Sequence, residues 1–247
     1  MPHARRLDMH TTHSREVGMD ADCTAVRQME NTSILYRVGA PLDAVLRRCP
    51  VAVAGTREPT QWGRRLAREL GRRLAEEGYA VVTGLAHGID EETTVGALDA
   101  GGLAVGVLPY LLERGGRLNP RATWLLYNAT KYGTSASAVA ENLVEDDSQV
   151  RKCFAMRNRI IVRISAALVV PEARFKPAHW GTRYAVEHAL SAGRPVVVLK
   201  PRVADSGVVK AFEYFRRRSA LVANDVNEAA GIVERQCYRS LPSVNAL

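Results

Sequence analysis

Residues 51–84 read VAVAGTREPTQWGRRLARELGRRLAEEGYAVVTG, and their pattern decides the fold. A short apolar run from Val51 to Gly55 precedes a stretch in which Trp62, Leu66, Leu70 and Leu74 recur every fourth residue, with Arg64, Arg65, Arg68, Arg72 and Arg73 at the positions between. This spacing predicts a helix with one face on a sheet. Gly78 ends it in the left-handed conformation that glycine adopts most cheaply. A second apolar run, Tyr79 to Gly84, follows at once. Strand, helix and strand in that order read as a βαβ unit with parallel strands.

The alternation continues downstream. The runs Leu103 to Leu108, Ala138 to Glu141, Ala167 to Pro171 and Pro195 to Leu199 are rich in Val, Ala and Leu and lack the polar alternation of a half-solvated strand, so they read as strands buried on both faces. Helices are expected over 91–100, 157–165, 182–192 and 227–236. The fold class is therefore α/β: a Rossmann-like, doubly wound, mostly parallel sheet with helices on both faces in three layers, its cleft at the carboxyl ends of the strands. The length of 247 residues suits one such domain. Residues 1–30, polar and without apolar period, are expected to form a disordered tail, with the domain over 31–238 and a second tail over 239–247.

No apolar run approaches the roughly 20 residues of a membrane span, and the start through Arg15 lacks the apolar stretch of a signal peptide. A cytoplasmic protein without a membrane partner is expected. Cys23, Cys49, Cys153 and Cys237 form no CxxC pair, so neither a metal site nor a disulfide framework is suggested. The net charge of +8 favours an anionic partner, although charge alone does not separate a nucleic-acid binder from an ordinary basic protein.

Four segments carry candidate chemistry. Gly55, Thr56 and Arg57 follow the first strand, where glycine lets backbone N–H groups approach a phosphate, the next helix start adds partial positive charge and Arg57 can fork onto oxygens. The GxGxxG fingerprint is absent, which removes the main support for a dinucleotide dehydrogenase. Thr83 to Asp90 follow the second strand, with Gly84, His87 and Gly88 on a short loop and Asp90 placed to cap the next helix. Arg151, Lys152, Arg157, Arg159 and Arg163 meet no acidic neighbour within their stretch. Arg157 and Arg159 open a helix, where the dipole disfavours cations, so a bound anion accounts for them better than the helix does. Gly181 and Thr182 again set a glycine and a hydroxyl at a helix start.

Together these segments resemble the DNA-processing A (DprA/Smf) family, part of a wider SLOG or LOG-like superfamily. Val51 to Thr60 resembles its opening strand and turn, Thr83 to Asp90 its "SGLARGID" loop, and Phe154 with Arg157-Asn158-Arg159-Ile160-Ile161 and Ser165 its "RNRII…LS" signature. Leu118-Asn119-Pro120, Val170 with Glu172-Ala173, and Gly193-Arg194-Pro195 continue the match in order, over roughly residues 35 to 235. The resemblance implies single-stranded DNA bound non-specifically in a basic pocket, a homodimer, and loading of the RecA recombinase. The pocket would comprise Gly55, Thr56, Arg57, Gly84, His87, Gly88, Arg157, Asn158, Arg159, Gly181 and Thr182, with no catalytic residue, cofactor or metal.

The departures are specific. His87 stands where the family has Arg, and Thr93-Thr94 replace its Ala-His. The "SGS" turn gives way to a longer stretch from Arg174 to Thr182 that adds Phe175 and Trp180. A helical module before the core and a winged helix after it are not recognised, which puts RecA loading in question. Two rivals follow: a mononucleotide or cyclic-nucleotide sensor using the same pocket, and a phosphoribohydrolase of the "PGGxGTxxE" type. Against the latter, Gly181-Thr182 lies beside no glycine pair, and Glu187 is too far along to serve as its acid.

Overall fold

Val51–Val53 (β1) is the strand on which the sheet is centred, flanked by Ala80–Thr83 (β2) on one side and Ala167–Val170 (β4) on the other. The computed structural model describes residues 42–107, 154, 157–177 and 180–240, together with a two-residue antiparallel pairing of Arg5–Arg6 with Tyr36–Arg37. The tails expected over 1–30 and 239–247, the strand expected at 138–141, the Leu118-Asn119-Pro120 motif and the cations Arg151 and Lys152 lie wholly or largely outside these residues.

The main sheet is completed by Leu103–Gly106 (β3), Val196–Leu199 (β5) and Leu221–Ala223 (β6). All its pairings are parallel, in the order β3-β2-β1-β4-β5-β6. This is the doubly wound Rossmann order, and the reversal of strand order falls between β1 and β4, where such folds open their cleft. The Val/Ala/Leu composition follows from burial on both faces. Ala52, Val82, Leu168 and Val198 pack on one side with Ile160, Ile161, Ala185 and Phe215; Val51, Val53, Val81 and Val197 pack on the other with Leu66, Leu70 and Val233.

The helices are α1 (Leu42–Leu46), α2 (Gln61–Glu76), α3 (Ile89–Asp99), α4 (157–163), α5 (Gly181–Ser191), α6 (Ser206–Arg216) and α7 (Val226–Ser240). Helix α2 buries Leu66, Leu70 and Leu74 and ends at Gly78, whose φ of 86° lets the N–H groups of Gly78 and Tyr79 turn back to the carbonyls of Ala75 and Leu74. Helices α2 and α3 pack backbone to backbone: a Cβ on Gly71 would meet the carbonyl of Thr93, and one on Gly96 that of Arg68. Helices α1 and α6 and strand β6 are additions to the sequence reading. Asp205 caps α6 by accepting from the N–H groups of Gly207 and Val208.

One expectation is overturned. Cys49 and Cys237 form a disulfide across 188 residues. Cys49 precedes β1, Cys237 lies in α7, and both belong to the same apolar layer. Local spacing carries no information about a pair that the tertiary fold brings together.

Candidate functional site

The cleft is built where the extensions of β1 and β4 run side by side. The N–H of Ala54 donates to the carbonyl of Val169 at 3.2 Å and that of Thr56 to Glu172 at 3.0 Å, which fixes the first glycine turn. The second turn locks onto it through the N–H of Ile89, which donates to the carbonyl of Thr56 at 3.1 Å. Gly88 has φ of 92°, and a Cβ there would lie 2.5 Å from the Thr56 carbonyl oxygen, so only glycine allows the two loops to touch. The third turn joins through Thr182, whose hydroxyl donates to the carbonyl of Gly55 at 3.0 Å. Gly55, Thr56, Arg57, Gly84, Gly88, Arg157 and Thr182 therefore share one locus.

Within it Arg157 and Arg159 diverge. Arg157 is 6% exposed and donates to the carbonyl of Gly84 at 2.6 Å, lying so close that a Cβ on Gly84 would overlap its guanidinium. The N–H of Gly84 donates to buried Asp90 at 3.0 Å. Burial pushes the Asp90 carboxyl above its ordinary range, opposed by the charge of Arg157, the N–H groups of Gly84 and Ala86, and Arg57. Arg57 and Arg157 both approach the ring of Phe154, at 5.4 and 5.5 Å from its centroid. Asn158 is half-buried, and Arg159 is exposed.

The three helix starts differ in how their N–H groups are met. At α2, Thr60 accepts from the N–H of Gly63 at 3.0 Å, while Glu172 accepts from the Thr60 N–H at 2.8 Å and its hydroxyl at 2.6 Å. A carboxylate of the protein thus occupies the position expected for a phosphate beside the first turn. At α3 the first turn holds Asp90, Glu91 and Glu92, and His87 Nδ1 lies 2.8 Å from Glu91 Oε2. His87 is engaged with its own helix and remains largely exposed. At α5 the first turn has no acidic residue and Trp180 supplies no side-chain cap; Gly181 is exposed with open space where a Cβ would stand. Of the three, only α5 presents its N–H groups without a carboxylate among the described residues.

Sequence reasoning did not assign the positioning role of Glu172, visible there only as part of a motif, and it gave Asp90 a capping role where the carboxylate instead holds the Gly84 amide. An acid directly after a buried strand, facing a helix start that lacks acids of its own, is the signal that could have found Glu172. No group of three or more His, Cys, Asp or Glu able to hold a metal ion occurs among the described residues. No described helix is long and apolar enough to cross a membrane.

Residues 24–232 match the family described as DNA recombination-mediator protein A. The chain belongs to this family. A Mycobacterium tuberculosis protein carrying the DprA name is 30% identical over 242 residues, covering 86% of this chain and 58% of that protein. DNA processing protein DprA of Bacillus subtilis is 29% identical over 155 residues, covering 63% of this chain and 49% of the relative. The chain thus spans about half to three-fifths of these family members' length. Among solved structures, DNA processing protein A of Helicobacter pylori, described for its single-stranded DNA binding mode, matches with a TM-score of 0.66 at 22% identity, over 82% of this chain and 87% of that one. The Streptococcus pneumoniae protein gives 0.64 at 24%, over 80% and 65%. A molybdenum cofactor binding protein of Rippkaea orientalis gives 0.53 at 21%, over 76% and 97%, a likeness of fold.

Proposed function

We propose that this chain binds single-stranded DNA through its phosphates, without base preference at the phosphate contacts and without breaking a bond. The observation that carries this reading is the start of α5: backbone N–H groups with no carboxylate against them among the described residues, tied through Thr182 to the glycine turn that bears Arg57. An anion there meets the positive end of the helix. Exposed Arg159 acts electrostatically on His188 in the last turn of α5, roughly 10 Å along the helix from Gly181. The absence of catalysis is supported by Glu187, the carboxylate nearest after Gly181-Thr182, which accepts from Arg183 at 2.7 Å and from the Tyr214 hydroxyl at 2.8 Å instead of standing ready as an acid or base. A cytoplasmic location, a homodimer and a RecA partner belong to the same proposal through the family alone.

The test is a titration of the purified protein against oligonucleotides of graded length beside a panel of mononucleotides, at two salt concentrations. Affinity should rise with strand length and fall with salt. Tight binding of one mononucleotide with no gain from length would replace this reading with a nucleotide sensor, and release of free base from a nucleoside monophosphate would replace it with a hydrolase.

A further inference from the structure

Arg174 and Phe175, ahead of α5, are anchored where a mere connection need not be. Arg174 pairs with Asp205 at 2.9 Å, and the N–H of Phe175 donates to the carbonyl of Gly207 at 3.0 Å, so the backbone at Phe175 is fastened to the start of α6. The ring of Phe175 stands edge-on to Trp180 at 5.2 Å between centroids, and Trp180 is buried against Tyr214 and Phe215, each at 5.0 Å. Phe175 nevertheless remains 38% exposed. Tyr184, whose N–H faces the Trp180 carbonyl one turn along α5, is 57% exposed. Two aromatic rings thus stand partly open to water, both tied to Trp180, the residue that precedes α5. Further burial would stabilise each ring, and the described residues leave both partly uncovered.

We propose that Phe175 and Tyr184 form a base-stacking subsite, taking nucleobases of a single strand whose phosphate lies at the start of α5. The inference rests on the phosphate-binding reading above and adds the part of the ligand that reading leaves unaddressed. A strand held by one phosphate projects its bases to the side, where aromatic faces receive any of them because every base has a π face. The charge nearby suits a polyanion: exposed Arg57 follows the glycine turn that Thr182 ties to this helix, and the helix's first turn carries no acid. Stacking of this kind is sequence-tolerant, in keeping with non-specific binding.

The experiment compares an oligothymidylate with an abasic strand of equal length, which has the same phosphates and no bases, by fluorescence anisotropy. The wild type should bind the oligothymidylate more tightly. Phe175→Ala should weaken that binding about tenfold and leave binding to the abasic strand unchanged, Tyr184→Ala should act in the same direction, and Phe175→Trp should preserve the preference. Because Phe175 is half-exposed, its truncation is compatible with folding, and an unchanged affinity for the abasic strand proves the variant intact. If the wild type binds both strands equally and Phe175→Ala alters neither, the stacking subsite is refuted while phosphate binding stands. If the wild type binds neither strand, the phosphate reading itself has failed. If Phe175→Ala shifts the sedimentation of the free protein and spares the preference for bases, the ring belongs to a contact between copies of the chain and the subsite is likewise refuted.

Discussion

Arg157 donates to the carbonyl of Gly84 at 2.6 Å, across 73 residues of sequence, and through that contact fastens α4 to the second glycine turn. The amide of the same glycine is held by Asp90, so a cation and a carboxylate grip the backbone on both sides of one residue. Arg159 lies two positions further along the helix, and a step of two turns a side chain by roughly 200°. The two arginines therefore play different parts, since one faces the core and the other faces solvent.

Arg157→Ala should accordingly destabilise the fold by about 3 kcal/mol, because it leaves the Gly84 carbonyl buried without its donor and Asp90 buried without the opposing charge. Arg159→Ala should change stability by no more than about 0.5 kcal/mol. Its effect should appear in binding, where the slope of log affinity against log salt should shrink by about 0.7 for a single strand. Urea melts and anisotropy at graded salt read both quantities. Equal melting losses in the two variants would contradict the division of roles.

Glu172 supports a second prediction. Its carboxylate meets both the N–H and the hydroxyl of Thr60 and lies against Gly63, at the positive end of α2. Glu172→Ala should cost about 2 kcal/mol and Glu172→Gln about 1 kcal/mol, since the amide keeps an acceptor for the Thr60 N–H but loses the charge. Equal midpoints for the glutamine variant and the wild type in denaturant would show that the charge at this helix start is immaterial.

The sequence made the sheet legible because its strands are continuous apolar runs and its connections end in glycine, as at Gly78. Helix α6 was harder to read because apolar Val209, Phe212 and Tyr214 lie off the buried stripe of Val208, Ala211 and Phe215 and blur its period. The glycine turns were legible for the same reason as the strands: close backbone approach admits few residues. The polar partners were not, because Glu172 reaches Thr60 across 112 residues and Arg157 reaches Gly84 across 73. A reading of neighbours along the chain assigned the helix start at α2 to a phosphate, where the folded chain supplies its own carboxylate.

His188 gives a pH dependence. Burial lowers its pKa below the ordinary 6.5, and the charges of Arg159 and Arg163 add to the effect. Its Nε2 is shielded from solvent and hydrogen-bonds to nothing among the described residues. The folded state thus disfavours the protonated imidazole, whereas the unfolded chain takes up the proton near 6.5. Stability is full above that value and declines as pH falls through it and onward through the lower folded-state pKa. Between about pH 7.5 and pH 5.5 the melting temperature should fall, and His188→Gln should flatten that fall. The carboxylates Glu187, Asp205 and Glu213 are held below their ordinary values, while Asp90, raised by burial, acts with the opposite sign, so the difference between wild type and variant isolates the histidine. An identical decline in wild type and variant would assign the dependence to another group.

The disulfide between Cys49 and Cys237 closes a loop of 188 residues that contains the entire main sheet. Cross-linking so long a loop removes much of the freedom of the unfolded chain, which in the chain-entropy account stabilises the fold by about 5 kcal/mol. For a chain of this size that corresponds to a melting temperature higher by roughly 10 °C. Because the bond joins the segment before β1 to α7, its loss should leave the cleft between β1 and β4 intact. Reduced protein and the Cys49→Ser variant should therefore melt at the same lower temperature, and reductant should not lower the variant further. Binding of single-stranded DNA below the melting range should be the same in all of them. Thiol counting on the unfolded, unreduced protein fixes the state of the pair: the Cys49→Ser variant should show one more free thiol than the wild type. Four free thiols, together with a melting temperature indifferent to reductant, would show that the two sulfurs are not bonded.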